Sequence, residues 1–487
     1  MELLNTKTWT GRIFVDGWRS GSSDQQRAVI EPATGAELGR IGVATPNDVH
    51  KAAERAQLAQ RQWASSSYEL RASVLRRAAA LWETHAEEIQ SWIIRESGAI
   101  GPFAARQTSV TTQTCHEAAG LASLPYGELL RTDQPQLSLS RRVPVGVVGV
   151  IAPFNVPLIL SMRAVAPALA LGNAVLLKPD PRTAVCGGAS IARIFEEAGL
   201  PAGVLSVLPG AADVGEAMIG DPHVRLISFT GSTRTGRRVA QLAAEHSKRV
   251  HLELGGKSAL IVLDDVDVDK ASSVGAFGSF LHQGQVCMAT GRHLVQRRVY
   301  DEYVSRLAQR ADRVPVGNPA TEQVALGPII DAAQRDRIHG FVTTSLEAGA
   351  RLAAGGKYAG LFYRPTVLSD VPVKSPAYRE EIFGPVAPVL PFDSLEQAAN
   401  LAADTEYGLS LGILTRDVMK GLALAERIPS GIVHINDQTL ADEVVNPFGG
   451  VKASGGGARI GGPIANFEAF TEVQWVTLRS DLPDYPF

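Results

Sequence analysis

The chain has 487 residues, 45% hydrophobic and 20% charged, with a net charge of −3. That length exceeds one ordinary core and points to two large domains or about three smaller ones, while its scattered Lys and Arg argue against nucleic-acid and anionic-membrane partners. No apolar run reaches the roughly 20 residues of a membrane span, MELLNTKTWTGRIF lacks the apolar core of a secretory signal, and three cysteines without a CxxC pair argue against a disulfide framework, so a reducing cytoplasm is expected.

Helices are expected to open the chain. Thr45 reads as an N-cap and Pro46 as the first helical residue ahead of NDVHKAAERAQLAQRQW, and a second helical stretch runs from about Tyr68 to Glu96. QPQLSLSRRV then alternates polar and apolar residues, as does the late segment TEVQWVTLRS. Both read as edge strands that pair across subunits, which predicts an oligomer.

From Val143 the texture changes. VPVGVVGVIA, NAVLLKP, VLSVLP, VRLISFTG and VHLELGG are short apolar runs that read as buried strands. Helix-length segments lie between them at Pro157 to Leu171, Thr183 to Ala198, Ala212 to Ile219 and Thr233 to His246, an alternation that implies a doubly wound, mostly parallel sheet. A second α/β region begins near Lys257 with SALIVLDD, a helix around Val274 to His282 and a charged helix from Tyr300 to Arg310. The expected fold is therefore α/β, with a Rossmann-like dinucleotide-binding domain over 1–124 and 145–256. A catalytic α/β domain would span 257–455, and small β oligomerisation segments 125–144 and 466–487.

Chemistry concentrates in a few segments. FTGSTRTG places Gly231, Ser232 and Gly236 where a strand gives way to a helix, exposing backbone N–H groups that suit a pyrophosphate. Alone, the segment reads equally well as a structural tight turn. Lys178 in LLKPD ends another strand of the same sheet, placed to bond a ribose hydroxyl or phosphate, and the two features together point to a dinucleotide. In HLELGGK, Glu253 ends a strand before Gly255 and Gly256, where partial desolvation raises a carboxylate toward a useful general base. A salt-bridged strand-end glutamate is the plainer alternative.

Cys287, in LHQGQVCMATGR, is the one cysteine in a polar, glycine-flanked segment, as a nucleophile requires. Cys115 and Cys186 sit among alanine-rich helices and read as packing residues. Asn155, in the proline-bracketed turn IAPFNVP, is able to donate to an oxyanion, although turn chemistry alone accounts for an isolated Asn. Ten dispersed histidines include no HExxH spacing, so no catalytic metal is expected.

The segments PFNVP, KPD, FTGSTRTG, ELGGK, GQVC, EEIFGPV and PFGGVKASG occur in the order and approximate spacing of the aldehyde dehydrogenase superfamily, over essentially the whole chain. Through RVPVGVVGVIAPFN, APALALGNAVLLKPD, FLHQGQVCMATGRHLV, VHIND and the YPF ending, the chain most resembles the benzaldehyde and related aromatic aldehyde dehydrogenases. The resemblance implies that Cys287 attacks the aldehyde carbon and that Asn155 and the Cys287 N–H hold the oxyanion. Hydride then leaves for a nicotinamide, and Glu253 activates the water that hydrolyses the thioester. It also implies that Glu381 holds the nicotinamide ribose with Phe383 beside the ring, that Lys178 contacts the adenine ribose, that Ser232 meets the pyrophosphate, and that the chain forms a homodimer or homotetramer.

Three departures from the family pattern stand out. Where many members carry a ribose-binding carboxylate three positions after the lysine, this chain has Pro181, between Asp180 and Arg182, so the expected cofactor is NAD with NADP tolerated. Phe154 replaces the usual Trp, and His282 the usual Asn two positions before GQ. Leu160, Arg163 and Val286 match substrate-channel positions: Val286 and Leu160 form an apolar wall suited to a flat ring. Arg163 either meets a polar group on the substrate or is tied into a structural ion pair. An aromatic aldehyde is the expected small-molecule partner, against the alternatives of an aliphatic aldehyde, a semialdehyde, or a cysteine hydrolase without redox chemistry.

Overall fold

The computed structural model describes residues 2–487. Two seven-stranded sheets carry the architecture. In the first, Arg249–Glu253, Val224–Thr230, Val147–Ile151, Ala174–Lys178 and Leu205–Val207 lie side by side in that order, all parallel. Val147–Ile151 and Ala174–Lys178 are buried at every position, because helices cover both faces of a parallel sheet and leave no solvent side for polar alternation. The chain winds outward from Val147–Ile151 in one direction, then returns to its other flank with Val224–Thr230. The order therefore reverses between these two strands, which opens a crevice at their carboxyl ends.

The second sheet runs Arg351–Ala354, Thr366–Ser369, Val386–Phe392, Thr290–Gln296, Ser258–Val262, Ser410–Leu414 and Ile432–Ile435. Only its first pair is antiparallel. The chain crosses between the sheets through Leu254–Lys257, from the end of Arg249–Glu253 to the start of Ser258–Val262. Carboxyl ends of the first sheet thus approach amino ends of the second.

Several expectations need correction. Strands, not helices, dominate the opening: Arg12–Val15 and Trp18–Ser20 form a hairpin that extends the first sheet antiparallel to Leu205–Val207, and Gln26–Ile30 pairs with Glu37–Gly42. These runs are short and mostly polar on one side, so they carry too little alternation to announce themselves. The helix begins at Pro46 as expected, with Thr45 and Asp48 in a reciprocal capping box, but the stretch from Tyr68 breaks at His85 into Tyr68–Thr84 and Ala86–Ser97. Leu137–Pro144 and Thr471–Leu478 pair with each other within one chain, flanked by Gly127–Leu130. Leu137–Pro144 is therefore the centre of a three-stranded sheet rather than an edge.

Candidate active site

Asn155 follows Val147–Ile151, and Gly231 follows Val224–Thr230, so both stand at the crevice where the strand order reverses. Glu253 closes its strand in register with Thr230, and its carbonyl accepts the Gly231 N–H at 3.0 Å. Across the crevice, Cys287 lies just before Thr290–Gln296, after the helix Val268–Phe280. His282, Gln283 and Gly284 there adopt φ of 50°, 56° and 64°, three successive left-handed residues that reverse the chain. A Cβ at Gly284 would stand 2.2 Å from the Gly384 carbonyl oxygen, so no other residue fits without displacing backbone.

The glutamines beside the cysteine prove to be staples. Gln283 donates to the carbonyls of Gly98 (3.0 Å) and Pro328 (2.9 Å), and Gln285 Oε1 accepts the Ile330 N–H at 3.2 Å. Asn155 Nδ2 donates to the Gln285 carbonyl at 2.8 Å, a bond that fixes the amide and uses only one of its two N–H groups. His282 Nε2 lies 2.6 Å from the Asn155 carbonyl, which only accepts, so that nitrogen carries the proton. Burial drives the His282 pKa down to about 4, which keeps the ring neutral.

Glu253 is buried, with Oε2 lacking any hydrogen-bond partner. Burial pushes its carboxyl up to about 8, against the downward pull of Arg163 and Arg459. Cys287 is pushed up to about 12, first by burial and then by the Glu381 and Glu253 carboxylates, with Arg163 opposing. Thiol and carboxyl are thus both mostly protonated at neutral pH, each poised to gain from a positive charge brought near.

Cys287 and Asn155 line a cavity of about 840 Å³ with Leu160, Arg163 and Val286. Phe103, Phe277, Met288 and Phe448 add apolar wall; Arg106, His434 and Asp442 add polar groups. Arg163 forms an ion pair with Asp442 and lies 4.3 Å over the Phe448 ring, while Arg106 donates to the Asp442 carbonyl at 2.9 Å. The structural ion pair foreseen for Arg163 therefore exists, inside the cavity wall. Arg106, Asp442 and Phe103 were not anticipated, and no local spacing marks them.

At the carboxyl end of Ala174–Lys178, Lys178 is buried, and burial lowers its pKa against the upward pull of Asp180 and Asp213. No hydrogen-bond partner for its Nζ is found among the described residues. Ser232 caps the helix Thr233–Glu245, accepting the Thr235 N–H at 3.3 Å. A Cβ at Gly236 would fall 2.3 Å from Leu254 Cδ2, and one at Gly231 would fall 2.6 Å from the Phe229 ring, so glycine brings this helix close against the strand. Glu381 folds inward, Oε1 accepting the Gly256 N–H at 3.1 Å, and burial raises its carboxyl to about 7. Phe383 packs edge-on to Phe154 at 5.8 Å. Of the two neighbours of Pro181, Arg182 grips Asp180 at 2.8 Å, reaches Asp331 at 2.7 Å and lies 4.1 Å over the Phe154 ring.

Comparison with known proteins gives a consistent picture. Residues 18–476 match the model of the aldehyde dehydrogenase family. A vanillin dehydrogenase from an Amycolatopsis species is 63% identical over 487 residues, with 100% of each chain covered. A benzaldehyde dehydrogenase [NAD(+)] of Pseudomonas putida is 48% identical over 98% of each chain. The crystal structure of a salicylaldehyde dehydrogenase from Pseudomonas putida G7, complexed with salicylaldehyde, superimposes with a TM-score of 0.94 at 35% identity, covering 98% of this chain and 99% of its own. By sequence along nearly its whole length and by fold, this chain is a member of the aldehyde dehydrogenase family.

Proposed function

We propose that the protein oxidises an aromatic aldehyde to its carboxylic acid with NAD, tolerating NADP. The observation that carries this reading is one cavity, walled by Leu160, Val286 and three phenylalanines, that reaches both Cys287 and Asn155. The names of the vanillin, benzaldehyde and salicylaldehyde relatives support the aromatic class, and the bracketed cofactor of the benzaldehyde relative supports NAD.

The residues present suit a dinucleotide. The glycine-permitted approach of Gly236 to Leu254, the Ser232-capped helix start and the unpartnered Lys178 amine would form the cradle, and Glu381 and Phe383 would hold the nicotinamide ribose and ring. When bound, the cofactor supplies the hydride acceptor. Cys287 gives its proton to solvent water and bonds through Sγ to the aldehyde carbon, whose C=O pair moves onto oxygen, and the free N–H of Asn155 with the Cys287 N–H steadies that oxyanion. After oxidation to the thioester, Glu253 takes a proton from water, whose oxygen displaces Sγ and frees the acid.

The pairing of Arg163 with Asp442 neutralises the charge that a semialdehyde carboxylate would seek, which favours neutral rings with polar substituents. Two or more copies would associate through the three-stranded sheet, whose edge strand Thr471–Leu478 exposes Val473 and Trp475. Residues 1–124 and 145–256 serve as the cofactor domain and 257–455 as the catalytic domain in this reading. Three free cysteines suit a reducing compartment such as the cytoplasm, and no helix among the described residues is long and apolar enough to cross a membrane.

The test is oxidation of benzaldehyde and vanillin beside a short aliphatic aldehyde and succinic semialdehyde, with NAD and with NADP, followed by absorbance of the reduced nicotinamide. The aromatic aldehydes should give the highest kcat/KM; a semialdehyde in first place would overturn the substrate assignment. Ester turnover without reduction of either cofactor would replace the dehydrogenase reading with a hydrolase.

A further inference from the structure

At the opposite end of Val224–Thr230 from the crevice, His50, Asp221 and His223 converge. His50 belongs to the first turns of the helix Pro46–Ser65, and Asp221 and His223 lie in the turn between the helix Ala212–Gly220 and that strand. One ring nitrogen of each histidine and a carboxylate oxygen of Asp221 lie within 4.8 Å of one another, with His50 Nδ1 at 2.8 Å from Asp221 Oδ2. Asp221 is buried, and its Oδ1 is oriented by the His223 backbone N–H at 2.9 Å. Lys248 donates to the Asp221 carbonyl instead of its carboxylate. Among the described residues no Lys or Arg forms an ion pair with that carboxylate, although the Lys248 ammonium on the Asp221 carbonyl lies close enough to feel its charge; its one side-chain partner is His50.

We propose that His50, Asp221 and His223 bind a divalent cation of the zinc type, with water in the fourth position. Two imidazole nitrogens and a carboxylate oxygen are zinc donors, and the oriented Asp221 supplies the outer-shell support that such ligands need. Bonds of about 2.0–2.2 Å put tetrahedral donors roughly 3.3–3.5 Å apart, so the His50–Asp221 contact opens slightly while His223 closes in. His50 gives up its bond to Asp221 by moving its proton to the other ring nitrogen, on a side chain that is 56% exposed. A further imidazole, His246, stands nearby, with Nε2 3.6 Å from where a Cβ on Gly220 would lie. Seven strand residues, about 20 Å, separate this cluster from Gly231, so the cation fastens the helix Pro46–Ser65 to the sheet without entering the reaction.

The test uses the full-length chain carrying Cys287→Ala, so that the reactive thiol does not compete, titrated with Co²⁺ and followed by its visible d–d bands; Zn²⁺ then displaces it, and thermal unfolding is read against Zn²⁺ concentration. One Co²⁺ per chain should bind without a thiolate charge-transfer band, and Zn²⁺ should raise Tm in a concentration-dependent way. His50→Ala, at an exposed position that folding tolerates, and His223→Ala should each weaken binding at least about tenfold and flatten the Zn²⁺ dependence of Tm. Absence of saturable binding, or binding as tight in His50→Ala as in its parent, overturns the proposal.

Discussion

The two sides of the crevice are built from different material. On the proposed cofactor side main chain makes much of the surface, a helix start after Gly231 and a close approach allowed by Gly236, with Lys178, Ser232 and Glu381 contributed by segments at the ends of strands and helices. On the aldehyde side it is side chain from distant segments, with Arg106 and Asp442 joined across 336 positions of sequence. Backbone surfaces recognise what is common to every turnover, since peptide groups cannot be exchanged by mutation. Side-chain surfaces are replaceable, so that is where the choice among aldehydes resides.

Substitutions that strike both sides alike should have the largest effects. Cys287→Ala removes the proposed nucleophile and should lower kcat by on the order of 10⁴-fold or more with every aldehyde and either cofactor; residual turnover near wild type would remove Cys287 from the reaction. Glu253→Gln should cost about 10²–10⁴ in kcat. Because only the ionised carboxyl takes a proton, wild-type activity should climb with pH through about 8, and that limb should vanish in the variant. Stability should move the opposite way. A carboxyl raised in the folded state contributes fully below its unfolded value and loses that contribution as pH rises through about 8. The Tm advantage of Glu253→Gln should therefore grow between pH 5 and 9.

The next two substitutions separate the sides. Gly236→Ala puts a methyl group where Leu254 stands, 2.3 Å away; overpacking of this kind costs about 1–3 kcal/mol, and KM for the cofactor should rise while the ranking of aldehydes holds. Asp442→Asn breaks the Arg163 pair, whose side chains are 10% and 20% exposed, at about 3 kcal/mol of stability. It should leave the cofactor KM alone and shift the ranking toward carboxylate-bearing aldehydes. If either variant altered the other side's parameter instead, the division between main-chain and side-chain recognition would fail. The smallest effect should come from His282→Asn: Asn tolerates the left-handed backbone, and kcat/KM should fall by less than about tenfold through loss of the bond to the Asn155 carbonyl.

This division also explains what the sequence made legible. The strand and helix alternation from Val143 onward was readable because strands buried on both faces leave nearly continuous apolar runs. Cys287, Glu253 and Asn155 stood out because each lies beside glycine or proline in a segment whose polarity a packing role does not need. Arg106 sits unremarked on the long helix Gly101–Leu121, and its partnership with Asp442 exists only after folding. The opening hairpin was lost for a related reason: three- and four-residue strands take their stability from Leu205–Val207, not from their own pattern. Left-handed φ at Gln283, beside His282, runs against its local preference, and the Gln283 staples to Gly98 and Pro328 hold it there.

The elevated pKa of Cys287 has a consequence for survival under oxidants. Peroxides attack thiolates far faster than thiols, and burial together with the neighbouring Glu381 and Glu253 carboxylates holds Cys287 mainly in its thiol form at neutral pH. The resting protein therefore presents its most reactive sulfur in the form least open to conversion to sulfenic acid. Oxidative inactivation should therefore be faster during turnover than at rest, which peroxide treatment with and without aldehyde and NAD would check.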